Sequence, residues 1–514
     1  MSKALLKSTG VVSAMTFLSR ILGFLRDMVF AQVFGAGAAT DAFFVAFKIP
    51  NFMRRLFAEG AFSLAFVPVF SEYKTGRTRA ELNELAARVA GTLGGILLVV
   101  TIVGELAAPL LIAIFAPGFL DDPERYRLAT EMLHLTFPYL MFISLTAFAG
   151  AMLNSFGRFA LPAFTPVLLN LVLIPAALLL APRFDEPIVA LSWGVFVAGV
   201  VQFLFQLPAL ARLGLLVRPR WGWRSPGVQR VLKLMVPTLF GSSVAQINLL
   251  FDTLLASFLV AGSVSWLYYS DRLMEFPLGM FGVALGTVIL PSLSRQHVES
   301  SPEQFSATLD WALRWAVLVA APAAIGLALL AGPMLTTLFQ YGEFQADDVR
   351  MASRSLIAYA FGLLGFMLIK VLAPGFYSRQ DTKTPVRIGI IAMVSNMALN
   401  VALIFPLAHA GLALATSLSA FLNAALLFRK LREADVYRPA RGWARFLRQV
   451  ASANLAMAGL LLWGVAGLEI WLERSAAERA LHLVAWIVAG AVVYGAVLWL
   501  AGIRPRDLKV TENR

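Results

Sequence analysis

The sequence lacks cysteine altogether, which excludes disulfide bonds, cysteine-ligated metals and thiol chemistry. Histidine is nearly as rare, and its four copies have no metal-ligand spacing: His134, His297, His409 and His482. No Walker A motif is present, so the chain has no means of hydrolysing ATP through a P-loop. The acids and histidines form no recognisable hydrolase or transferase motif, and we therefore expect a protein that is not an enzyme.

Charged residues are also scarce, at 14% of 514 residues, whereas 59% of the residues are hydrophobic and the mean hydropathy is +0.75. Long apolar segments at this density are typical of an all-α polytopic membrane protein. The sequence predicts about fourteen transmembrane helices, at 9–34, 41–71, 83–116, 128–155, 161–181, 187–211, 228–260, 266–294, 308–339, 353–378, 385–406, 411–431, 446–469 and 480–502.

The net charge of +13 comes from 43 basic and 30 acidic residues. In a soluble protein such an excess would suggest nucleic acid as a partner. Here the basic residues concentrate in the loops after even-numbered segments and in the C-terminal tail, and we expect no nucleic-acid partner. Because short cytoplasmic loops are enriched in Lys and Arg, this alternation predicts that both termini are cytoplasmic.

The chain repeats itself weakly. Four groups of matching residues, among them Asp27 with Asp252 and Pro50 with Pro277, lie 223–227 residues apart. Six helices per repeat preserve the orientation, which predicts two parallel six-helix lobes around a central cavity. We place the N-terminal lobe at 1–215 (helices 1–6), the C-terminal lobe at 225–435 (helices 7–12) and a C-terminal helix pair at 440–505. Chance similarity between apolar helices is the alternative explanation.

Seven basic residues lie inside segments that otherwise read as membrane-spanning. A cation near the bilayer centre costs about 3 kcal/mol or more, so these side chains predict a water-filled cavity for an anionic ligand. They are Arg20, Arg26, Lys48, Arg54, Arg55, Arg272 and Lys370. Several arginines could wrap a pyrophosphate, because the guanidinium fork offers two parallel hydrogen bonds.

Acids in the same segments, such as Asp41 and Glu59, keep a second interpretation open. The charges could neutralise one another and merely hold helices together. Arg55 and Glu59, four residues apart, are the first candidates for such a pair, and Arg272 and Glu275 can pair at a spacing of three.

A quieter polar set consists of Asp252 in helix 7, Asn396 and Asn400 in helix 11, and Thr416 in helix 12. All four offer oxygen ligands, which suit a hard cation such as Na⁺. Ordinary interhelical hydrogen bonding is the alternative for the amides and the hydroxyl. Protonation is the alternative for Asp252. We expect no bound cofactor, and coupling to Na⁺ or to the membrane potential.

Three long motifs resemble the MurJ (MviN) lipid II flippases of the multidrug/oligosaccharidyl-lipid/polysaccharide exporter superfamily, and the resemblance covers essentially the whole chain. The first runs from Asp41 to Phe62 and reads DAFFVAFKIPN followed by RRLFAEGAF. The others are DRLMEFP at 271–277 and APGFYSRQD at 373–381.

The resemblance implies transport of lipid II, the undecaprenyl-pyrophosphate-linked peptidoglycan precursor, from the cytoplasmic to the periplasmic leaflet of the bacterial inner membrane. Arg20, Arg26, Arg54 and Arg272 match the essential cavity arginines of the family, and Asp41 matches a required acid. Helices 13 and 14 would line a groove for the lipid tail. Asp252, Asn396, Asn400 and Thr416 fall where some members bind sodium, although Asn400 stands where an acid can occur. Partners from the cell-wall synthesis machinery are compatible with this role.

Alternative functions remain at this stage. A cation-coupled drug exporter of the same superfamily often carries cationic substrates, which the arginines disfavour, and a polysaccharide-lipid exporter is a further relative. A membrane enzyme acting on undecaprenyl-phosphate lipids would need an acidic catalytic motif, which the sequence does not offer. A structural scaffold for cell-wall synthesis would not need charges at membrane depth.

Overall fold

The computed structural model describes residues 3–55, 62–299 and 301–504, and their side chains outside 3–9, 237–245 and 282–288. In this part of the chain the backbone is helical between short turns, with no β-strand. The helices are α1 (Lys3–Phe34), α2 (Ala38–Arg54), α3 (Ser63–Gly76), α4 (Arg79–Leu106), α5 (Ala108–Phe115), α6 (Pro123–Thr136), α7 (Tyr139–Ser155), α8 (Ala160–Pro175), α9 (Val189–Arg212), α10 (Pro226–Ala256), α11 (Ser263–Pro277), α12 (Val283–Val298), α13 (Pro302–Leu329), α14 (Ala331–Phe339), α15 (Ala346–Leu372), α16 (Pro374–Tyr377), α17 (Lys383–Glu433), α18 (Trp443–Gly464), α19 (Leu468–Glu473) and α20 (Ala476–Leu500).

The predicted all-α membrane fold is confirmed. Every predicted segment falls on one helix or on two consecutive helices, and eight spans in the described residues are long and apolar enough to cross a membrane. The count of fourteen stays a prediction, since α1, α2 and α11 carry charges that lower their hydropathy. The chain divides into two compact units, Met1–Ser265 and Trp266–Arg514. The lobes predicted from the repeat, at 1–215 and 225–435, also stay predictions.

Proline interrupts several helices, because it lacks the backbone N–H that a helix needs and crowds the preceding turn. After Pro175, α8 continues as a π-helical turn over Ala176–Leu180. After Pro277, α11 passes into a similar turn over Leu278–Gly282. These wider turns re-aim the helix without breaking it.

The predicted segments 385–406 and 411–431 both lie in α17, which folds back on itself at Ala408 (φ 49°, ψ −131°). A positive φ is costly for any residue with a Cβ and marks a sharp turn. Next to it, Gly411 packs so tightly that a Cβ there would overlap the carbonyl of Leu403. The turn places residues 396 and 416 within hydrogen-bonding distance.

In the second unit, a buried carboxylate fixes the linker between α17 and α18. The Oδ1 atom of Asp310 accepts hydrogen bonds from the Tyr437 hydroxyl (2.8 Å), the Ala440 N–H (3.0 Å) and the Trp443 indole N–H (2.6 Å). Its Oδ2 atom pairs with Arg314, one helical turn away, at 2.8 Å. The start of the C-terminal helix pair is therefore tied to α13.

Candidate functional site

Two of the predicted site residues in α1 have very different surroundings. Arg26 is buried, and its guanidinium donates to Asp27 Oδ1 at 2.6 and 2.9 Å and to Asn170 Oδ1 at 3.2 Å. The amide of Asn170 in turn donates to the carbonyl of Ser19, so α8 is tied to α1 at two points. Arg20, by contrast, is exposed. In this structure the buried Arg26 thus holds α1 and α8 together, whereas the side chain of Arg20 remains accessible.

The predicted cations of α2 are grouped at its C-terminal end. Lys48 and Arg54 are half-buried, and Arg55 is exposed. The Nε atom of Arg54 donates to the side-chain oxygen of Asn51, three residues earlier, at 2.9 Å. Glu59 lies outside the described residues, and so does the predicted Arg55–Glu59 pair.

The carboxylate of Asp41, near the start of α2, is fully buried and has four donors around it. Its Oδ1 atom accepts from the N–H (2.8 Å) and hydroxyl (2.6 Å) of Ser265. Its Oδ2 atom accepts from the N–H of Gly262 at 2.8 Å and from Arg125 Nη2 at 3.4 Å. Since Gly262 and Ser265 flank the first residue of α11, the carboxylate lies at a helix N-terminus, where a negative charge is favoured. Asp41 thereby fixes the turn between α10 and α11 to α2 and α6.

In the second unit, Arg272 on α11 bonds to Glu275 Oε2 at 2.9 Å, as the spacing of three predicted. Its guanidinium also lies over the Tyr268 ring, 4.8 Å from the centroid, and donates to the Tyr268 hydroxyl at 3.3 Å. About a third of the Arg272 side chain remains accessible (34%). Lys370, in the last turn of α15, is exposed.

Three members of the predicted ion site come together in α17. The amide of Asn396 donates to Thr416 Oγ1 at 3.2 Å and to Ser419 Oγ at 3.3 Å, and its oxygen accepts from Asn400 at 2.6 Å. Asn396 and Asn400 are both buried. Asp252 lies half-buried in α10, in the first unit. Among the described residues, no group of three or more His, Cys, Asp or Glu could hold a metal ion.

Sequence reasoning missed four residues: Arg125, Asn170, Ser265 and Ser419. Arg125 follows three acids in the stretch 121–124, which reads as an ordinary exposed loop, and only the structure shows that Arg125 is buried. The other three are small polar residues on apolar helices and carry no comparable signal, because such residues commonly bond within their own helix.

Comparison with known proteins gives a consistent result. The family model described as "Lipid II flippase MurJ" matches residues 30–479. The chain is similar to the probable lipid II flippase MurJ of Vibrio cholerae, with 52% identity over 100% of this chain and 99% of that protein. It is 44% identical to the lipid II flippase MurJ of Burkholderia cenocepacia, over 96% of each chain.

Solved structures agree with this. The structure described as "Lipid II flippase MurJ, inward closed conformation" superimposes with a TM-score of 0.80 at 28% identity, covering 95% of this chain and 97% of that chain. An inward-facing multidrug transporter of the MATE family shares the fold alone, with a TM-score of 0.64 at 14% identity and 84% and 98% coverage. The chain is a multi-pass membrane protein, and it belongs to the lipid II flippase MurJ family.

Proposed function

We propose that this chain flips lipid II from the cytoplasmic to the periplasmic leaflet of the bacterial inner membrane, by alternating access and with both termini in the cytoplasm. Membership of the family supports the substrate, since the relatives are named for it. Coupling to Na⁺ or to the membrane potential and contact with the cell-wall synthesis machinery belong to the same proposal.

The observation that carries the proposal is that some arginines are buried and paired with acids, whereas others remain accessible. Arg26 and Arg125 are buried and bonded to carboxylates of the protein. Arg20, Arg54 and Arg272 keep accessible surface although they lie on apolar helices. Guanidinium groups that keep accessible surface at membrane depth are too costly to face hydrocarbon. We therefore propose that these three face water, as the predicted cavity requires, and that they meet the pyrophosphate there.

This arrangement also ranks the alternative functions. Accessible arginines would repel the cationic substrates of a drug exporter. The multidrug transporter of the MATE family shares only its fold with this chain. A membrane enzyme would require a cluster of acids or histidines at one surface, for which the sequence offers no motif.

Cysteine scanning tests the cavity, and because the chain has no native cysteine, only the introduced residue can react with a thiol reagent. Cysteine at Arg20, Arg54 or Arg272 should react with a charged, water-soluble thiol reagent in at least one state. Cysteine at Arg26 should react more slowly, because that side chain is buried in this structure. Leu98→Cys is the control, since Leu98 is 49% exposed on an apolar helix surface and should face lipid. Complete protection of all the arginine positions in folded protein would overturn the cavity.

Sodium coupling rests on Asp252, Asn396, Asn400 and Thr416. A bound ion would stabilise whichever state holds it more tightly, and so it would bias access to one side. The melting temperature of the purified protein should rise in sodium salts over choline salts, and Asp252→Ala should remove the difference. Equal melting temperatures in both salts over a wide concentration range would exclude this sodium site, and a sodium effect that persists in Asp252→Ala would place it elsewhere.

A further inference from the structure

The first unit contains a second concentration of arginines, far along the chain from the predicted substrate site. A cavity of about 1040 Å³ opens between the start of α4 and the segment 219–225 that leads into α10. We call it the arginine–tryptophan cavity after the residues that line it: Arg88, Arg220, Arg224, Trp221, Trp223 and Ser225.

Hydrogen bonds and close packing against two glycines hold the segment 219–225 against α4. The Arg220 N–H donates to the carbonyl of Ala87 at 2.9 Å, and the Gly222 N–H donates to Thr92 Oγ1 at 3.1 Å. A Cβ at Gly91 would overlap the Arg220 backbone. A Cβ at Gly95 would lie 2.7 Å from the Trp221 ring. The cavity wall is therefore built into the fold.

Its position along α4 is set by the same contacts. Trp221 reaches the level of Gly95, and the exposed apolar surface of α4 begins one turn later, at Leu98 (49% exposed) and Val99 (60% exposed). The Trp221 and Trp223 rings are 66% and 45% exposed and stack 6.3 Å apart. Exposed tryptophans at the edge of an apolar helix surface are typical of the membrane–water interface. The cavity thus lies at headgroup depth, on the cytoplasmic side in the predicted topology.

The charge of the cavity is positive. Three arginines line it with one acid, Glu84, which pairs with Arg88 at 2.6 Å and with Arg220 at 3.3 Å. Arg224, the third of these arginines, is exposed. One carboxylate cannot neutralise three guanidinium groups, so the cavity attracts an anion.

A buried hydroxyl in the cavity wall also lacks a protein partner. Ser225 is 8% exposed, lines the cavity, and its Oγ has no hydrogen-bond partner among the described residues. It stands at the N-terminus of the 31-residue helix α10 without capping it through its side chain. The hydroxyl oxygen itself is buried, so a phosphate in the cavity would lie beside the N-terminus of α10, where the positive end of the helix dipole favours a negative charge.

We propose that the arginine–tryptophan cavity binds the phosphate headgroup of an acidic glycerophospholipid from the adjacent leaflet. The arginines hold the phosphodiester beside the N-terminus of α10, and the two indole rings lie against the upper acyl chains. A bound lipid would anchor the start of α10 at the interface. This inference is independent of the flipping activity, because no residue that lines the cavity belongs to the predicted substrate site, and because the proposed lipid stays in its leaflet.

Binding can be measured by tryptophan quenching. The full-length protein, in nanodiscs of phosphatidylcholine, is titrated with phosphatidylglycerol brominated near the ester, and with brominated phosphatidylcholine for comparison. The quenching that arises at the cavity is the tryptophan fluorescence quenching of the protein minus that of its Trp221→Phe/Trp223→Phe variant. We expect quenching at a lower mole fraction of phosphatidylglycerol than of phosphatidylcholine. Equal quenching by the two lipids would overturn the proposal.

Charge variants locate the site. Arg220→Gln/Arg224→Gln should weaken binding of phosphatidylglycerol by about fivefold for each arginine, the worth of about 1 kcal/mol per basic residue near an anionic surface. Arg212→Gln/Arg218→Gln is the matched control. Arg212 ends α9 and Arg218 lies in the loop that follows; both are exposed, and neither lines the cavity. A loss as large in the control would mean diffuse attraction rather than a site.

Two glycine variants test the cavity shape with all arginines present. Gly91→Ala should displace residue 220 and weaken binding, whereas Gly94→Ala has open space around it and should bind normally. Equal binding by both variants would argue against a shaped site. A competition experiment then distinguishes a glycerophospholipid from other ligands that carry phosphate. Displacement of phosphatidylglycerol by equimolar undecaprenyl pyrophosphate, or by inorganic phosphate, would overturn the assignment to a glycerophospholipid.

Discussion

Replacing Arg54 or Arg272 by alanine should abolish lipid II flipping while leaving the protein folded in the membrane. Each variant removes a guanidinium that we expect to make two charge-assisted hydrogen bonds to the pyrophosphate. At about 1.5–3 kcal/mol per bond to a charged group, the loss corresponds to a reduction of about 100-fold or more in substrate affinity. The measurement is the leaflet distribution of lipid II in cells that depend on the variant for growth.

Lysine at the same positions should restore part of the activity, because it keeps the charge and loses the planar fork. Arg429→Ala is the matched control, since Arg429 is an exposed arginine near the end of α17 and pairs with Glu433, four residues away on the same helix. Growth supported equally well by the alanine variants of Arg20, Arg26, Arg54 and Arg272 would mean that these arginines hold helices together.

Replacing Asp41 by alanine should destabilise the turn between α10 and α11 more than any exposed charge substitution. The variant removes the acceptor for the backbone N–H groups of Gly262 and Ser265 and leaves Arg125 as a buried charge without this carboxylate. Breaking a buried pair in this way costs about 3–5 kcal/mol. We expect a lower melting temperature of the purified protein and faster proteolysis near residue 260.

The neighbouring helix α6 supplies a matched pair for this test. Arg125→Ala should lower the melting temperature, because Arg125 is buried against Asp41, whereas Arg127→Ala should change it little, because Arg127 is exposed and pairs with Glu131 at the surface. Asp41→Asn combined with Arg125→Gln should lose less stability than either single change, since neither charge is then left alone. Additive losses in the double variant would show that the pair contributes nothing.

Much of the fold followed from local patterns in the sequence. Apolar length located the helices, and the spacing of three between Arg272 and Glu275 predicted a bond that depends only on helix geometry. The turn at 406–411 was also correctly placed between two apolar segments.

Contacts between residues far apart in the chain could not be predicted, because no sequence periodicity connects them. Arg26 meets Asn170 across 144 residues, and Asp41 meets Ser265 across 224. The sequence grouped Arg20 and Arg26 as cavity arginines, yet Arg20 is exposed, whereas Arg26 is buried and bonded to the adjacent Asp27. Adjacent charges can bond when one side chain is as long and flexible as arginine, and the spacing of residues along a helix does not predict such a bond.

The Asp310 carboxylate has a consequence for the order of biosynthesis. Two of its partners, Tyr437 in the linker and Trp443 at the start of α18, follow it by 127 and 133 residues. At about 5–20 residues per second, the ribosome needs on the order of ten seconds to make them. During that interval Arg314, one turn away on the same helix, has already been synthesised with the carboxylate. We therefore expect Asp310 to pair first with Arg314, before the C-terminal helices exist, and to gain its bonds to the linker and to α18 only later.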